Sequence, residues 1–225
     1  MSTLQTFKNS SIAQAFEKAI FIVHAKIVDF SFDIVNGVDT RTFAELSDLS
    51  ITDETSKKRG IRYQPTRLVP LRKLFCAIKP IIPSDSVLVD LGCGKGRVLL
   101  AASELGLKKV IGVEFARELC EIAVKNCAKF KTKNKFDSEY KIVCDDVSNY
   151  AINSDENIFF MFNPFDEVIL AKVLNNIAAS IQENYRRVFV IYHNPVHSNT
   201  IEQQKEFSKL LDFNLWHHKF IVYSN

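Results

Sequence analysis

The pattern of apolar and polar positions changes character near Pro83. Before it, apolar side chains at 12, 15, 16, 19, 20, 23, 27 and 30 recur at helical spacing, so the stretch from Ser11 to Phe30 reads as a long helix. Asn36-Gly37 signals a turn after it. The next stretch, 39–64, is polar and holds a basic knot of Lys57, Lys58, Arg59 and Arg62. The knot reads as a solvated loop, with contact to an acidic substrate as the alternative. Pro70 opens a short helix with the apolar face Leu71, Leu74, Phe75 and Ile78, and Pro80 and Pro83 end it.

Beyond Pro83 the alternation is regular. The apolar runs Val87-Leu88-Val89, Val110 to Val113, Ile142-Val143, Ile158 to Phe162 and Val188 to Tyr192 read as five strands. Helices are expected from about Lys95 to Leu105, from Ala116 to Phe130, and along Leu170, Val173, Leu174, Ile177, Ala178 and Ile181. Strands that are apolar on both faces and alternate with helices predict an α/β fold, a doubly wound, mainly parallel sheet with helices on both faces. Its ligand is expected outside the carboxyl ends of the strands. Residues 1–62 then form an N-terminal helical extension and loop, and 63–225 the sheet domain. In the tail, Thr200 to Leu211 reads as a helix, and Phe213 to Tyr223 as one strand or a cramped hairpin.

Composition excludes several classes. With 225 residues, 47% hydrophobic and 24% charged, the chain is neither disordered nor collagen-like. A net charge of +3 leaves nucleic acid open as a partner without favouring it. Five scattered cysteines form no Cys-x-x-Cys pair, which argues against a zinc site or a disulfide framework and for a reducing compartment. No apolar run approaches the ~18 residues of a membrane span. The best candidate, Ala19 to Ala25, is hemmed by Lys18 and Lys26, and with Glu17 these charges also argue against a signal peptide, so a cytoplasmic protein with no membrane partner is expected. His193 and His197 have helical metal spacing, but Pro195 between them argues against a helix, and no metal site is expected.

The densest chemistry lies in Val87-Leu88-Val89-Asp90-Leu91-Gly92-Cys93-Gly94-Lys95-Gly96-Arg97. An acidic residue ends a strand, glycines follow at alternate positions, and a helix begins. Such glycines let the backbone turn sharply and let a ligand touch it, while N–H groups at the helix start favour an anion. Arg97 stands where a dinucleotide fingerprint needs glycine, and the Gly-Lys-Ser/Thr of a phosphate loop is missing.

The Asp-x-Gly-x-Gly-x-Gly run resembles the first motif of class I S-adenosylmethionine-dependent methyltransferases. That resemblance, which runs from about Tyr63 to Pro195, implies that Asp90, Gly92, Gly94 and Gly96 hold the cofactor S-adenosyl-L-methionine. Glu114, 18 residues after Gly96, would accept both ribose hydroxyls; otherwise it is a helix cap or a solvated side chain. Asp145, or Asp146 if the register is shifted by one, would receive the adenine amino group. Tyr63-Gln64-Pro65-Thr66 resembles the segment before the first motif, where Tyr63 and Thr66 would enclose the methionine part. Asn163-Pro164-Phe165 resembles the Asn/Asp-Pro-Pro-Phe/Tyr motif of methyltransferases acting on nitrogen. There the Asn oxygen and a neighbouring carbonyl orient a planar amine. This chain departs from that pattern with one proline and with Asp166 after the aromatic, and a strand-ending turn is the alternative. The function implied is methyl transfer to a nitrogen, with protein lysine first and a nucleobase next. Asn163, Pro164 and Phe165 would form the catalytic segment. A non-catalytic S-adenosylmethionine-binding module and a nicotinamide oxidoreductase are the other classes, the latter disfavoured by Arg97.

Overall fold

The computed structural model describes residues 11–42, 64–215 and 218–225, with no side-chain placement for 11–14. The basic knot, Tyr63 and His217 lie outside the described residues. Helix α1 (Ser11–Asn36) runs six residues past Phe30 and ends where Gly37 takes a φ of +67°. That left-handed conformation favours glycine, and the Val38 N–H then reaches back to the Asp33 carbonyl at 3.0 Å. Helix α2 (Leu68–Ile78) buries Leu68, Leu71, Leu74, Phe75 and Ile78, the face expected from its spacing.

The remaining elements are β1 (Val87–Leu91), α3 (Arg97–Leu105), β2 (Lys109–Glu114), α4 (Arg117–Asn134), β3 (Glu139–Cys144), β4 (Glu156–Phe162), α5 (Glu167–Glu183), β5 (Phe189–His193), α6 (Ser198–Glu202), β6 (Ser208–Leu215) and β7 (His218–Ser224). The strands form one seven-stranded sheet in the order β3-β2-β1-β4-β5-β7-β6. The first five strands pair in parallel, and β7 enters antiparallel between β5 and β6. The order reverses between β1 and β4, which pair directly, so the carboxyl ends of these two strands flank the crevice where ligands of such sheets bind.

Strand residues alternate between two core layers. Leu88, Val110, Ile158, Phe160 and Ile191 pack with α2, α3 and α4, and α1 adds Phe32 to that layer. Val89, Ile111, Phe159, Met161 and Val190 pack with α5 on the other face. Both faces of β1, β4 and β5 are thus buried, which is why these strands read as continuous apolar runs.

The tail differs from expectation. Helix α6 stops at Glu202, and residues 208–211 belong to strand β6, which pairs antiparallel with β7 as a hairpin. Leu211, Phe213 and Leu215 are half-buried, while Asp212 and Asn214 are exposed. That period of two belongs to a strand, and pairing with β7 overrides the helical reading of Leu210-Leu211.

Candidate functional site

The glycine loop joins β1 to α3. Gly92, Gly94 and Gly96 have φ of +89°, +53° and +83°, so the alternate glycines are needed for the path of the chain. The N–H groups of Gly92 and Cys93 both donate to the Val113 carbonyl, at 2.9 and 3.0 Å. The Gly96 N–H donates to the Cys93 carbonyl and the Gly94 N–H to Glu114 Oε2, each at 2.9 Å. These four donors are spent inside the protein. The loop therefore offers close approach to its backbone, with these four N–H groups held by the protein itself.

Glu114, the last residue of β2, is buried, and its Oε1 accepts the Ala116 N–H at 3.0 Å. Burial pushes its carboxyl above the ordinary range, opposed by the N–H groups of Ala116, Gly94 and Phe115. Each oxygen carries one backbone bond and keeps a second lone pair. Asp90 is also buried, and among the described residues no hydrogen bond reaches its carboxyl. Burial, and then the charge of Glu114, push its pKa well above the usual carboxylate range. Asp145 follows β3, and its N–H donates to the Glu114 carbonyl at 3.0 Å, which places it beside Glu114 at the same sheet edge. Its exposed carboxylate accepts the Asp146 N–H at 2.7 Å. Thr66 is buried against the loop, and its carbonyl accepts from Arg97 at 3.3 Å. A cleft beside the loop is lined by Gln64, Thr66, Asp90, Gly92, Phe160 and Phe162.

Asn163 and Pro164 follow β4 and meet the glycine loop directly. A Cβ added to Gly92 would lie 2.8 Å from Pro164 Cβ, so no larger residue fits there without displacement. Asn163 has φ +40°, a left-handed conformation that asparagine tolerates better than most residues. Its Oδ1 accepts the Tyr192 hydroxyl at 2.8 Å. Phe165 is separated from these two: it is buried in the core layer with Leu170 and Val113. Asp166 caps α5, accepting the N–H groups of Val168 and Ile169 at 3.1 Å. That capping duty accounts for the acidic residue after the aromatic.

Several contributors were missed from sequence. Arg97 is buried, with Nε donating to Thr40 Oγ1 at 2.8 Å and Nη1 lying 3.2 Å from Asp29 Oδ1. Lys95 binds Asp39 at 2.8 Å and also Thr42. Asn126 bonds the backbone N–H and carbonyl of Asp39 and the carbonyl of Lys95. The N-terminal segment is thus stitched to the glycine loop by side chains 50 or more residues away. On the other side, His193 lies between the rings of Phe162 and Phe220, at 3.9 and 4.2 Å between centroids. Its Nε2 is 3.3 Å from His218 Nδ1, and burial followed by the charge of His218 lowers its pKa well below the ordinary value. No signal in the sequence brought residues 162, 193, 218 and 220 together.

Residues 76–144 match the family model described as Histone methylation protein DOT1. A segment of 86 residues is 32% identical to the uncharacterized protein MJ0284 of Methanocaldococcus jannaschii and covers 38% of each chain. Seventy residues are 34% identical to a protein-lysine N-methyltransferase of Saccharolobus islandicus, covering 31% of this chain and 42% of that one. The chain therefore spans about two fifths of the length of the curated relatives it matches. Among solved structures, the putative methyltransferase yhhF from Escherichia coli superposes with a TM-score of 0.55 at 18% identity, covering 69% of this chain and 85% of that one. An RNA methyltransferase from Salinibacter ruber, in complex with S-adenosyl-L-homocysteine, superposes with a TM-score of 0.52 at 16% identity, covering 71% and 92%.

Proposed function

On the premise that the chain has the fold of class I S-adenosylmethionine-dependent methyltransferases, we propose that it binds S-adenosyl-L-methionine and methylates a nitrogen, the side-chain amine of a protein lysine. The observation that carries this reading is the contact between Gly92 and Pro164. It brings the glycine loop and Asn163 to one crevice, at the carboxyl ends of β1 and β4.

The residues present fit the cofactor. Gly92, Gly94 and Gly96 keep the loop free of side chains, and Asp90 supplies a buried carboxyl with no bond from the described residues. The spare lone pairs of Glu114 suit two hydroxyls of a ribose, and Asp145 stands beside it for the adenine amino group. Thr66, and Tyr63 just before the described segment, would close the methionine side. The bound cofactor supplies an activated methyl on a sulfonium, so the protein's task is proximity and orientation. Asn163 has that task. Tyr192 donates to its Oδ1 and so fixes the amide plane. Burial raises the Tyr192 pKa, which keeps the hydroxyl protonated and donating. Once the lysine ammonium has released a proton to solvent, the remaining Oδ1 lone pair and the backbone carbonyl nearby would accept the hydrogens of the incoming amine and turn its lone pair toward the methyl. Pro164 stiffens this turn, and Phe165 anchors it to the core.

Lysine as the acceptor is supported by the relative named a protein-lysine N-methyltransferase and by the DOT1 match. That match ends at Cys144, so it bears on the cofactor half of the molecule and not on Asn163. The test is incubation of the purified protein with radiolabelled S-adenosylmethionine and fractionated cell extract. Label on lysine in the protein fraction is expected. Label in RNA would replace lysine by a nucleobase, and cofactor binding with no labelled fraction would make the chain a binding module.

A further inference from the structure

Helix α1 carries two apolar stripes, and only one faces the domain. On the inner side Phe21, Ala25 and Phe32 are buried, together with the Asp29 and Asp33 carboxylates that face Arg97. On the outer side stand Phe16, Ile20, Val23, Ile27, Phe30 and Ile34, each between 44 and 68% exposed. The least exposed is Phe30, which has the Arg41 guanidinium 4.5 Å over its ring. Successive members of this outer row are four, three, four, three and four residues apart. That is the alternation of a coiled-coil seam, an apolar repeat of 3.5 residues held from Phe16 to Ile34.

A surface helix needs one stripe to dock on its own domain. From the second stripe we infer that α1 is a dimerisation helix, whose outer seam packs against the same seam of a second copy of this chain. Three observations favour that occupant. A seam with 3.5-residue spacing is complementary to a helix carrying the same spacing, and a second copy brings one. Every seam position is apolar, and Glu17, Lys18 and Lys26 lie off the row; the Arg41 guanidinium over Phe30 stays in water at the rim or swings aside when the seams meet. The six residues expose about 600 Å² per copy, so full coverage in a pair would bury at most roughly 1,200 Å², the lower bound of a standard specific interface. A lipid surface fits less well. An interfacial helix sets its apolar face against a strongly cationic one, whereas the opposite side of α1 is buried and carries Asp29 and Asp33.

The test is sedimentation of the full chain from about 1 to 100 µM, the range in which an interface of this size associates. A reversible dimer is expected, with a melting temperature that rises with protein concentration because association stabilises the folded state. Ile20→Glu combined with Ile27→Glu sets four carboxylates into the paired seam and is expected to weaken association about a hundredfold or more. Val35→Glu changes an exposed residue off the seam and is expected to leave the dimer intact. A wild-type chain that stays monomeric at about 100 µM overturns the inference. So does a dimer that survives the double substitution, or one that Val35→Glu dissociates equally. A monomer that sediments with phosphatidylglycerol vesicles would assign the seam to a lipid surface instead. Melting of the unmodified chain against concentration reads the association even if a variant folds poorly.

Discussion

The two sides of the crevice between β1 and β4 hold their residues by different means. On the β1–β2–β3 side the backbone makes the site: three positive-φ glycines, a carbonyl of Val113 that accepts two N–H groups, and a Glu114 carboxylate bonded to two more. On the β4–β5–β7 side, side chains make it. The Tyr192 hydroxyl fixes Asn163, and His193 lies between Phe162 and Phe220. A site made by backbone conformation leaves its mark in the spacing of glycines within one short segment. A site made by side chains across strands depends on register, and register forms only when distant strands pair.

Gly92 joins the two sides, and its substitution has the largest expected effect. Gly92→Val places a branched residue at φ +89° and a Cβ 2.8 Å from Pro164 Cβ. Strain of this kind costs about 1–3 kcal/mol before the clash is counted. Affinity for S-adenosylmethionine should fall about a hundredfold or more, as calorimetry would read, and the melting temperature should fall with it. An unchanged affinity would remove the loop from the cofactor site.

Tyr192→Phe acts on the β4–β5 side alone. It deletes the hydrogen bond to Asn163, worth about 1 kcal/mol, together with the long one accepted from the His197 N–H at 3.4 Å, so kcat should drop about fivefold while the KM for S-adenosylmethionine holds. A change in KM with kcat preserved would show that Tyr192 serves the cofactor instead.

The smallest expected effect is a gain. The folded-state pKa of Asp90 is raised, so the folded protein keeps a proton that the unfolded chain releases above the ordinary value of 3.8. Stability therefore falls as pH rises from that value toward the folded pKa. Asp90→Asn removes this penalty. The free variant should melt above wild type at neutral pH, and the difference should vanish as pH falls toward 4, as thermal scans across pH would read. A variant less stable than wild type at pH 7 would mean that Asp90 is satisfied as a carboxylate.

The parallel, doubly wound core was legible because strands buried on both faces read as apolar runs between helices. The antiparallel tail was not, because Leu210-Leu211 fits a helix until β7 pairs with it. Asp90 and the glycines stood out by their spacing and Glu114 through the family resemblance, while Pro164 was read as part of the catalytic segment, with a strand-ending turn as the alternative. Its contact with Gly92 was hidden, since it rests on the order β1-β4 in the sheet. Arg97 was seen only as a residue that breaks a dinucleotide fingerprint. Its partners Asp29 and Thr40 are far away in sequence, so its role in pinning the N-terminal segment was out of reach.

The division between the two sides is tested most directly by one paired measurement, a cofactor binding constant and a single-turnover methylation rate on the same folded preparations of Glu114→Ala and Asn163→Ala. Loss of charged hydrogen bonds worth about 1.5–3 kcal/mol should weaken S-adenosylmethionine binding to Glu114→Ala roughly ten- to a hundredfold. Asn163→Ala should keep its affinity within about threefold and lose about a hundredfold in turnover, because only the acceptor is misplaced. If Asn163→Ala turns over at the wild-type rate, or loses cofactor affinity as far as Glu114→Ala does, then Asn163 does not orient the acceptor and the two sides do not divide the work.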